Sequence, residues 1–343
     1  MLSPTKIGAL YVLAIVVIIF SLWVPETFAT VSTVHEVLNG NAVTGILAFA
    51  VVIPLASGVF DLASASTLGL VSLATAKVLV DTELSFGVVL VLMLLLSLLV
   101  GIVNAIVVVG FKIDSFIGTL GTSALITAGV LALTDNQIIS APRLVEEIRT
   151  FATWEVLGFT GAFVYMLLIA LFVWWLLETT PVGRRIYATG FNPEVARLTG
   201  VNVNRVQAVS LIWSSVAAGF AGVLVTGQVG SGQPSIGAPY LLPAFAVAFV
   251  GATQIKPGRF NAVGTILAVI LIGTGTVGLS LTPVPLWAPQ VYLGVVLLVA
   301  IAITGYERRA TKSHRAKGGT ETAAGDAGRE PTPKSVGSSQ SVP

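Results

Sequence analysis

The stretch GRRIYATGFNPEVARLTGVNVNRV, residues 183–206, holds four arginines, one glutamate and three asparagines between two long apolar runs. Asn192 is of a type that caps a helix start, and Pro193 is favoured at the first helical position. Glu194 would then lie in the electropositive first turn, and Gly200 suits the position just beyond the helix end. The spacing therefore predicts a helix of one or two turns with its own start and stop signals.

Such a helix is suited to binding another protein rather than to catalysis. Val195 and Leu198 share one face, so they could anchor the helix in a groove of a soluble partner protein. The alternative is a helix that rests on the membrane surface, balanced by the basic residues around it. The residues assigned to this docking element are Arg184, Asn192, Pro193, Glu194, Val195, Arg197, Leu198 and Gly200.

Several signatures of enzymes are incomplete in this sequence. GTGTVG at 273–278 matches a dinucleotide-binding pattern, but no strand precedes it and no acidic residue follows, so its glycines are interpreted as small faces for helix packing. HEVLN at His35 lacks the second histidine of a zinc-binding helix, and no GxxxxGK(S/T) loop occurs. The lack of cysteine excludes disulfides, zinc thiolates and thiol catalysis, and the two histidines lie at opposite ends of the chain. Without a catalytic constellation or a metal cluster, the sequence predicts no enzyme, no metal site and no cofactor.

A second set of polar residues interrupts the apolar stretches. Asp61 lies near the end of one, where an ionisable side chain indicates either a solute pathway or a helix N-cap. Thr119, Ser123 and Thr127 recur every four residues, and their hydroxyls either line a weakly polar path or bond to their own or a neighbouring helix. The residues of the predicted path are Asp61, Asn104, Thr119, Ser123, Thr127, Gln228 and Gln233.

The elements that position these residues follow from the composition. The 343 residues are 55% hydrophobic and 10% charged, whereas about a quarter of a soluble domain is charged. The sequence therefore predicts an all-α, polytopic membrane protein, and its net charge of +2 does not suggest nucleic-acid binding. Ten spans are predicted, or eight if 41–80 is partly re-entrant around Pro54 and Gly58. The ten are 7–24, 41–56, 62–80, 86–110, 115–134, 161–178, 207–227, 239–255, 260–281 and 287–305.

The distribution of basic residues predicts the orientation of these spans. With ten spans, the loops rich in Lys and Arg fall on one side, which places both termini in the cytoplasm and the 135–160 segment outside. The first span is longer than the apolar core of a signal peptide, so it is expected to be retained. Lys77 is expected to pair with Asp81. The predicted domains are a membrane domain at 1–308 and a disordered cytoplasmic tail at 309–343.

Residues 183–206 resemble the cytoplasmic loop of ribose-type ABC importer permeases, a group that also includes branched-chain amino acid permeases. Three further stretches are similar to motifs of this family: GVFDLASAS at 58–66, GTLGT at 118–122 and GRFNAVGTILAVILIG at 258–273. The similarity extends over about residues 40–305. The matching positions in the first stretch are Gly183, Arg184, Ile186, Ala188, Gly190, Asn192, Ala196, Arg197, Leu198 and Gly200.

The resemblance implies a cell-membrane importer with a second permease copy or paralogue, cytoplasmic ABC ATPases and an extracytoplasmic solute-binding protein. In such an importer the docking helix couples closure of the ATPases to movement of the spans, which lie in membrane lipid. A monosaccharide is the expected solute, with pentose, hexose, polyol and nucleoside all open. Leu241 and Pro243 stand where ribose permeases commonly carry acidic residues, and Ala63 replaces a serine, so ribose itself is not inferred.

Two other classes of protein compete with this interpretation. An ion-driven secondary transporter would need intramembrane carboxylates or broken helices that form an ion site, and Asp61 is the one candidate. A membrane-embedded enzyme would need a catalytic constellation that the sequence lacks.

Overall fold

The computed structural model describes residues 8–302, and within that range the side chains of residues 10–141 and 148–302. The predicted tail at 309–343 and the boundary at 308 lie outside the described residues.

Helices joined by short turns make up most of the fold, with two small β-ribbons. The helices are α1 (Gly8–Trp23), α2 (Pro25–Phe28), α3 (Val31–Gly40), α4 (Ala42–Ala56), α5 (Ser64–Asp81), α6 (Phe86–Ala105, continued by the π-helical turn Ile106–Gly110), α7 (Ser115–Thr134), α8 (Pro142–Thr153), α9 (Gly161–Thr179), α10 (Pro181–Phe191), α11 (Pro193–Leu198), α12 (Val203–Val229), α13 (Ala238–Thr253), α14 (Ala262–Ser280) and α15 (Ala288–Ala302), and the strands are β1 (Ile139–Ser140), β2 (Glu155–Val156), β3 (Phe159–Thr160) and β4 (Ser231–Gly232).

Each of the ten predicted apolar segments coincides with one of these helices. Among the described residues, six helices are long and apolar enough to cross a membrane: α5, α6 with its π-helical end, α7, α9, α12 and α14. The pair α3 and α4, which meet at a bend of 40°, would make a seventh, and α1, α13 and α15 are apolar but shorter. The helical, multi-spanning architecture is therefore confirmed at six or seven candidate spans, and the count of ten stays a prediction.

The core of the bundle is built around α4 and α12. Every residue of α4 is buried, as expected for a helix that is apolar on all sides. The long helix α12 packs against α4, α5, α6 and α8. At Gly222 a Cβ atom would lie 2.5 Å from the carbonyl oxygen of Leu68 on α5, so the small residue allows the two backbones to approach closely.

Two local predictions are confirmed by these contacts. The glycines of GTGTVG do serve helix packing: Gly273 faces the α3–α4 junction, Gly275 faces α15 and Gly278 faces α1. A Cβ atom on any of the three would come closer than 3.0 Å to neighbouring side chains. At the end of α5, the ammonium of Lys77 lies 2.8 Å from the Asp81 carboxylate, as its spacing indicated.

The segment 135–160 contains structure that the sequence analysis did not predict. Its helix α8 buries Ile148 and Ala152 against α12, where Gly227 makes room for them. Strand β1 pairs antiparallel with β4, and β2 pairs antiparallel with β3. A strand of two residues is too short to show an alternating pattern of apolar and polar residues. A helix of twelve residues with several charges is too short and too polar to be recognised as a membrane span.

Candidate functional site

The capped helix that the sequence predicts is α11. The Oδ1 atom of Asn192 accepts hydrogen bonds from the backbone N–H groups of Glu194 and Val195, both at 3.1 Å. Beyond the helix, Gly200 has a φ of 83° and its N–H donates to the carbonyl of Arg197 at 3.0 Å. This left-handed residue satisfies one of the last helical carbonyls, so both the start and the stop signal are in place.

The apolar side chains of α11 point away from the rest of the chain. Val195 is 53% exposed and Leu198 is 88% exposed, whereas Ala196 is buried. Arg197 is held by a hydrogen bond from its Nη2 to Oδ1 of Asn204, 3.3 Å away at the start of α12. An exposed apolar pair surrounded by polar residues is the kind of surface that binds a partner.

A second helix, α10, precedes α11 and was not predicted. The Oγ1 atom of Thr180 accepts a hydrogen bond from the N–H of Gly183 at 3.2 Å and caps its start. A Cβ atom on Gly183 would lie 2.3 Å from the carbonyl oxygen of Leu177, so α10 turns back tightly onto the end of α9. Arg184, assigned to the docking element, lies exposed on α10.

A cluster of aromatic and charged residues fixes α10 to the loop between α13 and α14. The hydroxyl of Tyr187 donates to the carbonyl of Phe260 at 2.7 Å, and the guanidinium of Arg259 lies 3.6 Å from the centre of the Tyr187 ring. Glu178 forms ion pairs with Lys256 and Arg259. Burial raises the pKa of Tyr187 to about 12, against the opposing effect of Arg259, so its phenol stays a hydrogen-bond donor at neutral pH.

A glycine contact joins α10 to the turn between α4 and α5. A Cβ atom on Gly190 would lie 2.1 Å from the carbonyl oxygen of Ala56, and one on Gly58 would lie 3.2 Å from the Cα atom of Gly190. Gly58 also has a φ of 85°, a backbone conformation that favours glycine. The unit of α10 and α11 therefore contacts two separate breaks in the helical bundle, the 57–63 turn and the 254–260 loop.

Asp61 is fully buried within the 57–63 turn. Its Oδ1 atom accepts a hydrogen bond from the N–H of Ala63 at 3.1 Å, and its backbone carbonyl accepts one from the hydroxyl of Ser64 at 3.0 Å. This arrangement organises the chain just before α5, although the N-cap of α5 is Ala63, and Oδ2 of Asp61 is buried without a hydrogen-bond partner. Both interpretations of Asp61 therefore stay predictions.

Thr119 and Asn104 are buried too, and both connect elements of the bundle. The Thr119 hydroxyl donates to the carbonyl of Ser115 at 2.7 Å and accepts a hydrogen bond from the N–H of Leu62 at 3.0 Å, which ties α7 to the 57–63 turn. Oδ1 of Asn104 accepts a hydrogen bond from the hydroxyl of Thr122 at 2.6 Å, which ties α6 to α7. Both side chains bond to their own or neighbouring elements, and their place in a solute path stays a prediction.

The rest of the predicted stripe lies on a more open face between α5 and α7. The hydroxyls of Ser66 and Ser123 are 2.6 Å apart, and Thr127 lies 3.4 Å from Ser66. Ser66 and Ser123 are half-buried, and Thr127 is exposed. Ser66 was missed by the sequence analysis, because only its contact with α7 distinguishes it from the other small residues of α5.

Gln228 and Gln233 lie at the end of α12 that is remote from α11. Both are half-buried, and Nε2 of Gln233 donates to the hydroxyl of Ser231 in β4 at 3.3 Å. A helix rises 1.5 Å per residue, so Gln228 is roughly 30 Å along α12 from Gln207 near the helix start. Asp61 lies beside Ser214 of the same helix, roughly 20 Å along α12 from Gln228, so the structure does not bring Gln228 together with Asp61.

Comparison with known proteins connects this arrangement to a transport family. The model of the family described as branched-chain amino acid transport system, permease component, matches residues 33–301. The matched range includes the capped helix, the 57–63 turn and all of the predicted path residues. The chain belongs to this permease family. It is therefore a transport permease and a multi-pass protein of the cell membrane, as the sequence analysis predicted.

Individual relatives extend over nearly the whole chain. The ribose import permease protein of Bacillus subtilis is 31% identical over 302 residues, which is 87% of this chain and 92% of that protein. The ribose import permease protein of Haemophilus influenzae is 29% identical over 86% of this chain and 91% of its own length. The D-allose transport system permease protein of Escherichia coli is 28% identical over 87% and 91%. No solved structure matches the chain.

Proposed function

We propose that this chain is the permease subunit of an ABC importer for a monosaccharide that an extracytoplasmic solute-binding protein delivers. The permease family supports the transport role, and the relatives named for ribose and allose support a sugar as the solute. The observation that carries the proposal is α11, a capped helix whose Val195 and Leu198 are both exposed. Such a helix fits a groove on a separate cytoplasmic ATPase.

In the proposed arrangement ten helices cross the membrane and both termini are cytoplasmic. The ten apolar helices support this count, with α1, α4, α13 and α15 as short spans. Helix α12 has 27 residues and is about 40 Å long, more than the ~30 Å hydrocarbon core. It therefore separates the basic residues around α11 on the cytoplasmic side from the glutamines at its outer end.

The proposed mechanism follows from the contacts of α10 and α11. When ATP closes the ATPase dimer, the docked α11 moves together with α10, because the two helices are joined by Asn192 alone. The glycine contact at Gly190 passes the movement to the 57–63 turn, and the Tyr187 cluster passes it to the 254–260 loop. Each of these breaks joins two helices of the bundle, so a rigid-body shift of α10 changes their relative positions.

The solute path is proposed to run along the face that Ser66, Ser123 and Thr127 share, between α5 and α7 of this subunit and the second permease copy. Hydroxyl groups there could exchange hydrogen bonds with the hydroxyls of a sugar. A weakly polar path favours rapid passage, because tight binding within a channel slows release. Affinity for the sugar is then a property of the binding protein.

The docking proposal is tested with the double substitution Val195→Asp and Leu198→Asp in the purified importer. We expect the ATPase to be lost from the complex, because apolar anchors at the centre of an interface each contribute about 2 kcal/mol or more and a buried unpaired charge adds a further cost. The measurement is the ratio of ATPase to permease after affinity purification.

A matched control for this test is Val182→Asp. Val182 is 45% exposed in the first turn of α10, where an acidic residue is tolerated. The control should retain the ATPase at the wild-type ratio. If the double variant also retains it, α11 is not the docking element.

The alternative of an ion-driven secondary transporter receives no support from the site. Its one candidate carboxylate, Asp61, is buried, but the described residues hold no group of three His, Cys, Asp or Glu side chains that could bind an ion. The exposed apolar pair on α11 would also have no purpose in a transporter that works alone.

A further inference from the structure

A polar pocket of about 470 Å³ opens beside α11. One wall is the turn that joins the π-helical end of α6 to α7, and the opposite wall is formed by α11 and the first residues of α12. The 57–63 turn contributes Gly58 and Val59. The polar side chains that line the pocket are Lys112, Asp114, Ser115, Arg197, Asn204 and Gln207.

The charges of this pocket favour an anionic ligand. Lys112 and Arg197 bring two positive charges, and Asp114 brings one negative charge. The Oδ1 atom of Asp114 already accepts hydrogen bonds from the N–H groups of Phe116 and Ile117, at 3.0 and 3.3 Å. Since that carboxylate is engaged at the start of α7, the cations are left to face the open pocket together.

The two cations of the pocket differ in how they are held. Lys112 has a φ of 56°, a left-handed conformation that lysine rarely adopts. Arg197 is held by its hydrogen bond to Asn204. Both side chains are exposed, so the two charges are accessible to a group that a partner protein carries.

The location of the pocket indicates what fills it. Arg197 belongs to α11 itself, a helix of six residues and therefore about 9 Å long. A protein that encloses Val195 and Leu198 must also lie over the mouth of a pocket so close to them. The ligand is then a group carried by that protein, and the protein group with complementary charge is a carboxylate.

We propose that this pocket receives an acidic side chain of the ATPase subunit, next to the contact made by α11. The inference rests on the proposed function, since it presumes that an ATPase docks on α11. It adds a second contact that involves Lys112, a residue 85 positions away in sequence from Arg197. An ion pair in this pocket would set the orientation of the docked ATPase, while the apolar anchors supply affinity.

The first test is carbodiimide cross-linking of the purified, intact importer. The reagent condenses a lysine amine with a carboxylate that it contacts: an amide bond forms, and the carbodiimide takes up the lost oxygen as a urea. We expect mass spectrometry to find Lys112 joined to an aspartate or glutamate of the ATPase. Lys112→Arg should abolish the cross-link but keep the ATPase bound, because arginine retains the charge and does not form this amide.

The second test is charge reversal with a matched control. Lys112→Glu should lower ATPase retention in a salt wash by about tenfold or more, because like charges that face each other across an interface repel. Arg185→Glu makes the same change of charge on an exposed residue of α10 that does not line the pocket, and it should have no comparable effect.

Three results would overturn the proposal. One is the absence of any cross-link at Lys112, and another is equal retention in Lys112→Glu and Arg185→Glu. The third is a loss in Lys112→Glu that occurs in nanodiscs of anionic lipid but not in nanodiscs of neutral lipid, which would assign the pocket to a lipid headgroup. If the α11 double variant removes the ATPase but these variants do not, the docking proposal stands and the pocket proposal fails.

Discussion

At the scale of single residues, Gly58 and Gly190 form the contact between α10 and the 57–63 turn. Gly190 lies against the carbonyl of Ala56, and no side chain fits between them. Because the obstacle is backbone, it cannot rotate away as a flexible side chain would. Because neither glycine has a side chain, the backbone of α10 can pack directly against the backbone of the 57–63 turn.

Gly190→Ala should weaken both folding and coupling. The new Cβ atom would be 2.1 Å from the Ala56 oxygen, and the forced separation should cost about 1–3 kcal/mol. We expect a lower thermal midpoint and more ATP hydrolysed per sugar transported in proteoliposomes. Gly129→Ala on α7 is the control, since a Cβ there meets nothing within 4 Å. Equal thermal midpoints and equal ATP-to-sugar ratios for the two variants would show that the contact transmits nothing.

How far the sequence predicts these residues depends on the distance over which they act. Asn192 and Gly200 form hydrogen bonds with residues two to three positions away, so their roles are readable from local spacing. Ser66 and Ser123 are 57 positions apart, and nothing in either stretch indicates that their hydroxyls meet. Asp61 left two interpretations open, because the sequence does not show that Oδ1 would bond to the N–H of Ala63 while Oδ2 would be buried without a partner.

At the scale of elements, α10 and α11 are proposed to move together as one rigid unit. The polar residues of α7 are buried near the start of the helix and exposed further along it. One face of α7 is buried through Thr119, and the other is open at Thr127. The sequence analysis placed Thr119, Ser123 and Thr127 on one stripe because they repeat every four residues. An α-helix has 3.6 residues per turn, so residues that repeat every four positions shift gradually around the helix axis and away from the buried interface.

The open face of α7 predicts a pattern of chemical accessibility. Thr127→Cys should react with a hydrophilic maleimide at least about tenfold faster than Thr119→Cys, because access limits thiol reactivity. Ser123→Cys should be intermediate, and its rate should change when ATP is added to the assembled importer. The native chain has no cysteine, so each label reports one position. Equal reactivity at positions 119 and 127 would contradict the proposed path.

Elements that the sequence analysis missed share a physical cause. Helices α8 and α10 have 12 and 11 residues and carry charges, so they lack the long apolar run by which spans are recognised. Their stability comes from tertiary contacts, such as Ile148 against Gly227 and Tyr187 against Phe260. By contrast, the ends of the ten apolar helices were predicted to within a few residues, as far as the structure describes them. A helix that is buried in lipid or in protein needs an unbroken run of apolar residues, and such a run is visible in the sequence.

At the scale of the whole molecule, α12 links the two sides of the membrane. Its start follows the docking helix, its middle packs against α4, α5 and α6, and its end lies beside α8 and β4. A displacement of α11 can therefore reach the outer face through a single continuous helix of 27 residues. In the proposed importer the energy for this displacement comes from ATP hydrolysis on a separate ATPase subunit.

Uptake by reconstituted vesicles tests this central claim most directly. The permease is reconstituted alone, with the ATPase, and with both the ATPase and the binding protein, and uptake of labelled monosaccharides such as ribose and allose is measured. We predict accumulation against a gradient only when the ATPase, the binding protein and hydrolysable ATP are all present. Accumulation by the permease alone, driven by an ion gradient, would contradict the account.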